Sequence, residues 1–271
     1  MRILKSLAMS FVTLLALLYI GQRILIFPGA YFLSSKAPED RGLIAIPLET
    51  PDGVTIQLYT FASQPLADKD RKKQKQAILV FHGNADLAAR KIYELGFLRD
   101  KYEIYALEFH GFNKNKGFPS EETLNMDAKT ALKYLHSQGH EEIIYYGHSI
   151  GTGVATRLVR EEMPLALILE APFDTLLHAA NDTIFFLPKG LLEILLKDKF
   201  DSVKTLSTIA VPNVLIMHGA KDDILSIKLG RSLFAQVNSP NKVLKIYETA
   251  NHMNILQYAK KDVLEFLTSI K

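Results

Sequence analysis

The chain has 271 residues, 48% hydrophobic and 23% charged, enough for one large globular domain or two small ones. A net charge of +3 provides none of the basic excess that nucleic-acid binders carry, so no nucleic-acid partner is expected. With no cysteine, the chain has no disulfide, no thiolate nucleophile, no thiolate metal site and no S-acylation of its own.

The N-terminal stretch MRILKSLAMSFVTLLALLYIGQRILIFPGAYF starts with Arg2 and Lys5, then carries no charge from Ser6 to Gln22. Secretory signals begin the same way but need small residues at a cleavage site after the apolar run. Here the run passes through Leu17, Leu18, Tyr19 and Ile20 into Gln22, Arg23 and a second apolar patch, Ile24 to Phe27. Read through to Phe27, it predicts a helix of about 33 Å, enough to cross a bilayer with Arg23 at its surface. Residues 1–30 are therefore expected to form an uncleaved single-pass anchor, with the lipid bilayer as partner, standing apart from a domain at 31–271. A cleaved signal, releasing a secreted or periplasmic domain, and a buried first helix are the alternatives. Arg2 and Lys5 oppose Arg23 and Lys36, a slight bias that favours a domain outside the cytoplasm.

From residue 43 the pattern changes. GLIAIPLET and VTIQLYTFA, joined by the turn signal Pro51-Asp52-Gly53, predict a hairpin. The run DKDRKKQKQ at 68–76 predicts a solvated loop. Six short apolar runs follow: AILVFHG, EIYALEF, EIIYYG, ALILEAPF, VLIMHG and VLKIYET, the kind that buried parallel strands show. Between them lie helix-length patterns at 87–100, 120–138, 151–163, 226–238 and 254–270. The second opens with Pro119, Ser120 and early acids, a helix start. Strands alternating with helices imply an α/β fold, a mostly parallel sheet covered on both faces. Residues 172–211 hold no strand candidate but include the apolar DTIFFLPKGLLEILLK, read as a helical lid or as a helix packed on the sheet edge.

Ligands of such sheets bind at the carboxyl ends of the strands, where the reactive residue types of this chain collect. Gly-His-Ser-Ile-Gly, at 147–151, is a pattern that about one random chain in ten of this length would contain. Its position between a strand and a helix is what makes Ser149 a candidate nucleophile, with Gly147 and Gly151 removing side chains from a sharp turn. A serine hydroxyl needs a base, and His252, in the loop ETANHMNIL after the last strand, is the best placed of eight histidines. His148 should point away from Ser149. His82, His110 and His218 end strands and suit packing or hydrogen bonding within loops, and His136, His140 and His178 have no motif around them. The base needs an orienting carboxylate. Asp222, in VLIMHGAKDDILS, is the choice, with Asp223 the fallback and Glu170 a structural or substitute acid. The developing oxyanion needs donors: the backbone N–H of Ile150, and that of Asn84 or else Ala85 in FHGNADLAAR.

The motifs VFHGNA, HGFNKNKGFPSEE, GHSIGTGVA, LILEAPF, HGAKDDIL and NHMN, in that order, resemble the α/β-hydrolase superfamily from about 43 to 271. The nearest branch is the single-pass, membrane-anchored α/β-hydrolase-domain proteins, which include serine esterases and protein depalmitoylases. The resemblance implies a triad of Ser149, Asp222 and His252, oxyanion donors at Asn84 and Ile150, and no metal or organic cofactor. The chain departs from the family pattern at His110, Asn113, Leu225-Ser226 and Asn251, none of them a catalytic position. The expected activity is hydrolysis of an ester or thioester, of a small molecule or an acylated protein, through an acyl-enzyme. A serine aminopeptidase, using Glu170 and Asp174 to hold an ammonium, and a non-catalytic membrane-tethered binding protein are the rival readings.

Overall fold

Each of the apolar runs becomes a strand. In the computed structural model, which describes residues 2–32, 42–62, 76–113, 115–184 and 186–270, they form one eight-stranded sheet. The strands are β1 (Leu43–Glu49), β2 (Thr55–Phe61), β3 (Ala77–Phe81), β4 (Glu103–Glu108), β5 (Ile143–His148), β6 (Ala166–Glu170), β7 (Asn213–Gly219) and β8 (Asn241–Tyr247). Their order is β1-β2-β4-β3-β5-β6-β7-β8. β2 pairs antiparallel with both β1 and β4, and every other pair is parallel. The hairpin closes where Thr50 Oγ1 donates to Asp52 Oδ1 (2.5 Å) and Gly53 takes a φ of 79°. The charged run at 68–76 lies outside the described residues except for Gln76.

Alternate residues of the central strands feed two separate cores. Leu79, Phe81, Leu167 and Ile216 pack beneath α4 (Glu121–Ser137), α5 (Ile150–Leu158) and α9 (Ile227–Gln236). Ile78, Val80, Ile168 and Met217 face α3 (Ala88–Glu94) and α10 (Ile255–Ser269) on the other side. Both faces are therefore covered, as a parallel sheet requires. α4 starts as its sequence indicates: Ser120 Oγ accepts from Thr123 N–H (3.1 Å), and Thr123 Oγ1 accepts from Ser120 N–H (2.9 Å). The helix expected over 87–100 breaks at Leu95, and a 3-10 turn, Gly96–Leu98, replaces its last part.

The interval 172–211 holds three short helices, α6 (Leu176–Thr183), α7 (Lys189–Leu195) and α8 (Ser202–Thr208). Pro188, the N-cap of α7, divides what the apolar pattern read as one stretch. α8 packs against α5, with Arg160 Nε donating to Thr205 Oγ1 (2.7 Å), whereas α6 and α7 cover a cavity described below. The interval therefore divides between α6 and α7, which border the cavity, and α8, which packs on a helix and not on the sheet edge.

The N-terminal helix α1 (Arg2–Ile26) is long and apolar enough to cross a bilayer, and most of its side chains are exposed. It does not stand wholly apart from the domain. Gln22 is buried, Phe27 is fully buried in the core with its ring 6.4 Å from that of Phe200, and the short α2 (Pro28–Phe32) carries a buried Gly29. The sequence reading set the whole stretch apart because Phe27 continues an apolar run. Its partners, however, come from far along the chain.

Candidate active site

β5, β6, β7 and β8 are successive neighbours in the parallel part of the sheet, so the loops at their carboxyl ends lie together. Ser149 is the single residue between β5 and α5, with φ 53° and ψ −120°. A residue with a Cβ enters that region only when its surroundings impose it. Here Ser149 N–H donates to Glu170 O (2.9 Å), and Ser149 O accepts from the Thr152 N–H (2.9 Å) and hydroxyl (2.6 Å). The flanking glycines are steric necessities. A Cβ on Gly147 would sit 2.5 Å from Gly151 O, and one on Gly151 would run into the Phe81 carbonyl.

Asp222 sits in the loop after β7 with four bonds to its carboxylate. Oδ1 accepts the N–H groups of Ile224 (3.0 Å) and Leu225 (2.8 Å), and Oδ2 meets His252 Nδ1 (2.8 Å) and His218 Nε2 (3.3 Å). Burial alone would push this carboxyl up. The bonds from His218, His252 and Leu225 overcome it and hold the group well below the usual carboxylate range. Asp223 is exposed and does not reach His252. With Nδ1 committed to Asp222, the other nitrogen of His252, Nε2, is left for exchange of a proton. Among the described residues no hydrogen bond joins Ser149 to His252, but both border one cavity, the arrangement in which a substrate tightens the contact.

His148 packs behind this pair. Its Nε2 lies 3.3 Å from His252 O, and the two rings are 5.3 Å apart. Burial first, then the nearby Lys91 charge, lower its pKa from 6.5 to about 4, so the ring is neutral. Glu170 is structural: Lys91 Nζ (2.6 Å) and the Tyr146 hydroxyl (2.6 Å) both reach its Oε2. Burial opposes that charge, but Lys91 prevails and brings its pKa down to about 2. Asp174 is equally committed, to Thr175 N–H (2.7 Å), His178 Nδ1 (2.8 Å) and the Ser232 hydroxyl (2.7 Å). The remaining histidines serve loops and packing. His82 pairs with Glu108 (3.1 Å), His110 with Asp127 (2.5 Å), His136 with Glu162 (2.8 Å) and His140 with Glu103 (3.3 Å). His218, expected to pack or hydrogen-bond within its loop, does the latter and is a second partner of Asp222. No signal for that was visible beyond its spacing of four residues from the acid.

Asn84 and Ile150 both border the cavity beside Ser149. Ile150 opens α5, so its N–H has no acceptor one turn back within the helix. For Asn84 only the backbone N–H was expected to matter, yet its side-chain Nδ2 donates to Ile26 O at the end of α1. The cavity measures about 390 Å³. Beyond Ser149 and His252 its walls are nearly all apolar: Leu25 and Ile26 of α1, Leu176 of α6, and Leu192 and Leu195 of α7. No group of three His, Asp or Glu side chains among the described residues is placed to hold a metal ion.

No family model matches the chain. Over 260 residues it is 28% identical to the lysophosphatidylserine lipase ABHD12 of Rattus norvegicus, a match spanning 80% of this chain and 63% of that protein. It is 27% identical over 256 residues to protein bem46 of Schizosaccharomyces pombe, spanning 89% and 84%. Among solved structures it is similar to the Pyrococcus furiosus esterase Pf2001, with a TM-score of 0.65 and 19% identity, covering 88% of this chain and 95% of that one. At that identity the likeness is one of fold. With its sheet order and its strand–serine–helix turn, the chain has the α/β-hydrolase fold, and in sequence it is similar to the α/β-hydrolase-domain proteins.

Proposed function

We propose that this protein is a serine hydrolase that cleaves a carboxylic ester or thioester carrying an acyl chain. One observation carries the reading: the His252 imidazole, fixed by Asp222 at 2.8 Å, borders the same apolar cavity as Ser149 on its strained turn. His252 Nε2 takes the Ser149 proton as Oγ attacks the acyl carbon, and the carbonyl oxygen becomes an oxyanion facing the Asn84 and Ile150 N–H groups. Collapse of the tetrahedral species breaks the bond to the leaving alkoxide or thiolate, which takes the proton from imidazolium. Water, deprotonated by His252, then cleaves the acyl-enzyme to a carboxylic acid and restores Ser149. Asp222 stays ionised throughout, the state its low pKa favours.

The apolar walls support an acyl chain as the bound group, from a lipid or an acylated protein, and α1 supports anchorage in the bilayer that holds such substrates. The domain then lies on the non-cytoplasmic side, by the slight charge bias around α1. The aminopeptidase reading loses its support, because Glu170 and Asp174 are both saturated by other partners.

The test is labelling of the full-length protein in detergent with a fluorophosphonate. Wild type should label, whereas Ser149→Ala and His252→Ala should not. A folded wild type that fails to label would overturn the hydrolase reading and leave a tethered binding protein. In a p-nitrophenyl ester series, medium and long acyl chains should surpass acetate, and an aminoacyl p-nitroanilide should be inert. Protease protection in sealed vesicles reports the side on which the domain lies.

A further inference from the structure

The end of α1 is tied to two parts of the site that come from far along the chain. Gln22 is 6% exposed in a helix whose other side chains are mostly open. Its Nε2 donates to Leu195 O (3.0 Å), the last residue of α7, and its Oε1 accepts from Lys197 N–H (2.8 Å). Next to it Arg23 Nε lies 3.5 Å from the buried Asp198, and Lys197 Nζ sits 4.2 Å over the Tyr19 ring. One turn on, Ile26 O accepts from Asn84 Nδ2. Gly29 then backs onto the main-chain carbonyl of Asn84 so closely that any Cβ would collide with it. On the other side of Asn84, a Cβ on Gly83 would lie 2.6 Å from His148 Nδ1 and 3.3 Å from Ser149 Cβ. The Asn84 loop is thus held between the serine turn and the corner that ends α1.

We infer that residues 22–29 are a positioning element for the reaction: Ile26 O and Gly29 fix the Asn84 loop, and Gln22 keeps the helix end seated by fastening it to the lid. The inference rests on the serine-hydrolase reading, in which Asn84 N–H faces the oxyanion. Gln22 and Gly29 touch no reacting atom and act through Asn84. The segment that would hold the protein in a bilayer thereby also sets its turnover, by geometry rather than by delivery of substrate.

The test uses full-length protein in detergent micelles with p-nitrophenyl acetate, a soluble substrate that needs neither a bilayer nor the acyl pocket. Gly29→Ala and Asn84→Ala should each lower kcat by about ten-fold or more, and Gln22→Met by about three-fold, with KM within about two-fold of wild type. Affinity for a trifluoromethyl ketone, which forms the tetrahedral oxyanion on Ser149, should fall by the same factor as kcat/KM. Inhibition by decanol, a ground-state ligand of the apolar walls, should not change in Gly29→Ala, because Gly29 does not border the cavity. Leu4→Ala, on an exposed part of α1, should match wild type. If Gly29→Ala does not fold, Asn84→Ala and Gln22→Met decide. Folded variants with unaltered kcat and ketone affinity, in a protein whose wild type labels with fluorophosphonate, would overturn the positioning role and leave the hydrolase reading standing. A wild type that neither labels nor turns over would overturn both.

Discussion

His252 and Leu192 border the same cavity, and they are held in different ways. His252 lies in the loop between β8 and α10, where directional bonds fix it: Asp222 at Nδ1, with Asp222 itself fixed by two backbone N–H groups and by His218. Leu192 lies on α7, a seven-residue helix packed largely through apolar contacts, with Phe186 and Ile194 exposed beside it. A hydrogen bond fails once its geometry moves by a fraction of an ångström, whereas apolar packing tolerates exchange of shape at constant volume. On the proposed function, the sheet-borne side would therefore fix the chemistry and the helical roof would select the acyl group.

The largest effects should come from breaking the sheet-borne side. Ser149→Ala and His252→Ala should lower kcat for p-nitrophenyl esters by about 10⁴-fold or more, and Asp222→Asn by about 10³- to 10⁴-fold. Asp223→Asn, one residue away, should stay within about two-fold of wild type, and the reverse result would move the acid to Asp223.

A smaller, selective effect should come from the roof. Ala180 on α6 borders the cavity, and Ala180→Phe would fill part of it. That variant should lose about ten-fold or more in kcat/KM for decanoate while hydrolysing acetate almost as wild type does, one buried side chain being worth about 1–3 kcal/mol. Equal loss on both esters would mean that roof and chemistry are not separable.

The last effect is on stability and leaves catalysis aside. His148 remains neutral in the folded protein down to about pH 4, because burial and then the Lys91 charge disfavour its protonated form. Unfolded, the same ring protonates near 6.5, so between those values the unfolded chain binds more protons. This contribution is complete above about pH 6.5 and is lost as pH falls towards 4, on the order of 3 kcal/mol across the window. Glu170, depressed from 4.5 to about 2, adds a separate loss at lower pH. His148→Gln should flatten the decline in melting temperature between pH 6.5 and 4 and leave the loss at lower pH in place. An unchanged upper decline would assign it to another group.

Much of this division was visible in the chain. All eight strands were legible: those at the centre because burial on both faces leaves a continuous apolar run, and the first two because they alternate about a turn signal. Ser149, Asp222 and His252 stood out as candidates because each follows the carboxyl end of a strand. The end of α1 was not legible. Gln22, Ile26 and Gly29 reach Leu195, Asn84 and its carbonyl, and no local pattern encodes partners that far along the chain. Leu18 and Leu195 look alike in a sequence whether they face lipid, a core or a substrate, so the cavity was also invisible. Pro188, by contrast, was a readable break within the lid, set aside in favour of the apolar pattern around it.

Gln22 has a consequence for the depth of the protein. Between Ile3 and Gly21 the helix rises about 28 Å, close to the ~30 Å of hydrocarbon in a typical bilayer. The next residue is fastened to the lid, so in the anchored state the lid cannot drift away from the headgroup plane while α1 stays helical. A thicker membrane would draw the Gln22 amide towards hydrocarbon and strain that fastening, whereas a tilt of α1 would absorb a thinner one. In an anchored protein, bilayer thickness would then act mechanically on the roof of the cavity, through Gln22 and the neighbouring Tyr19 and Arg23 that meet Lys197 and Asp198.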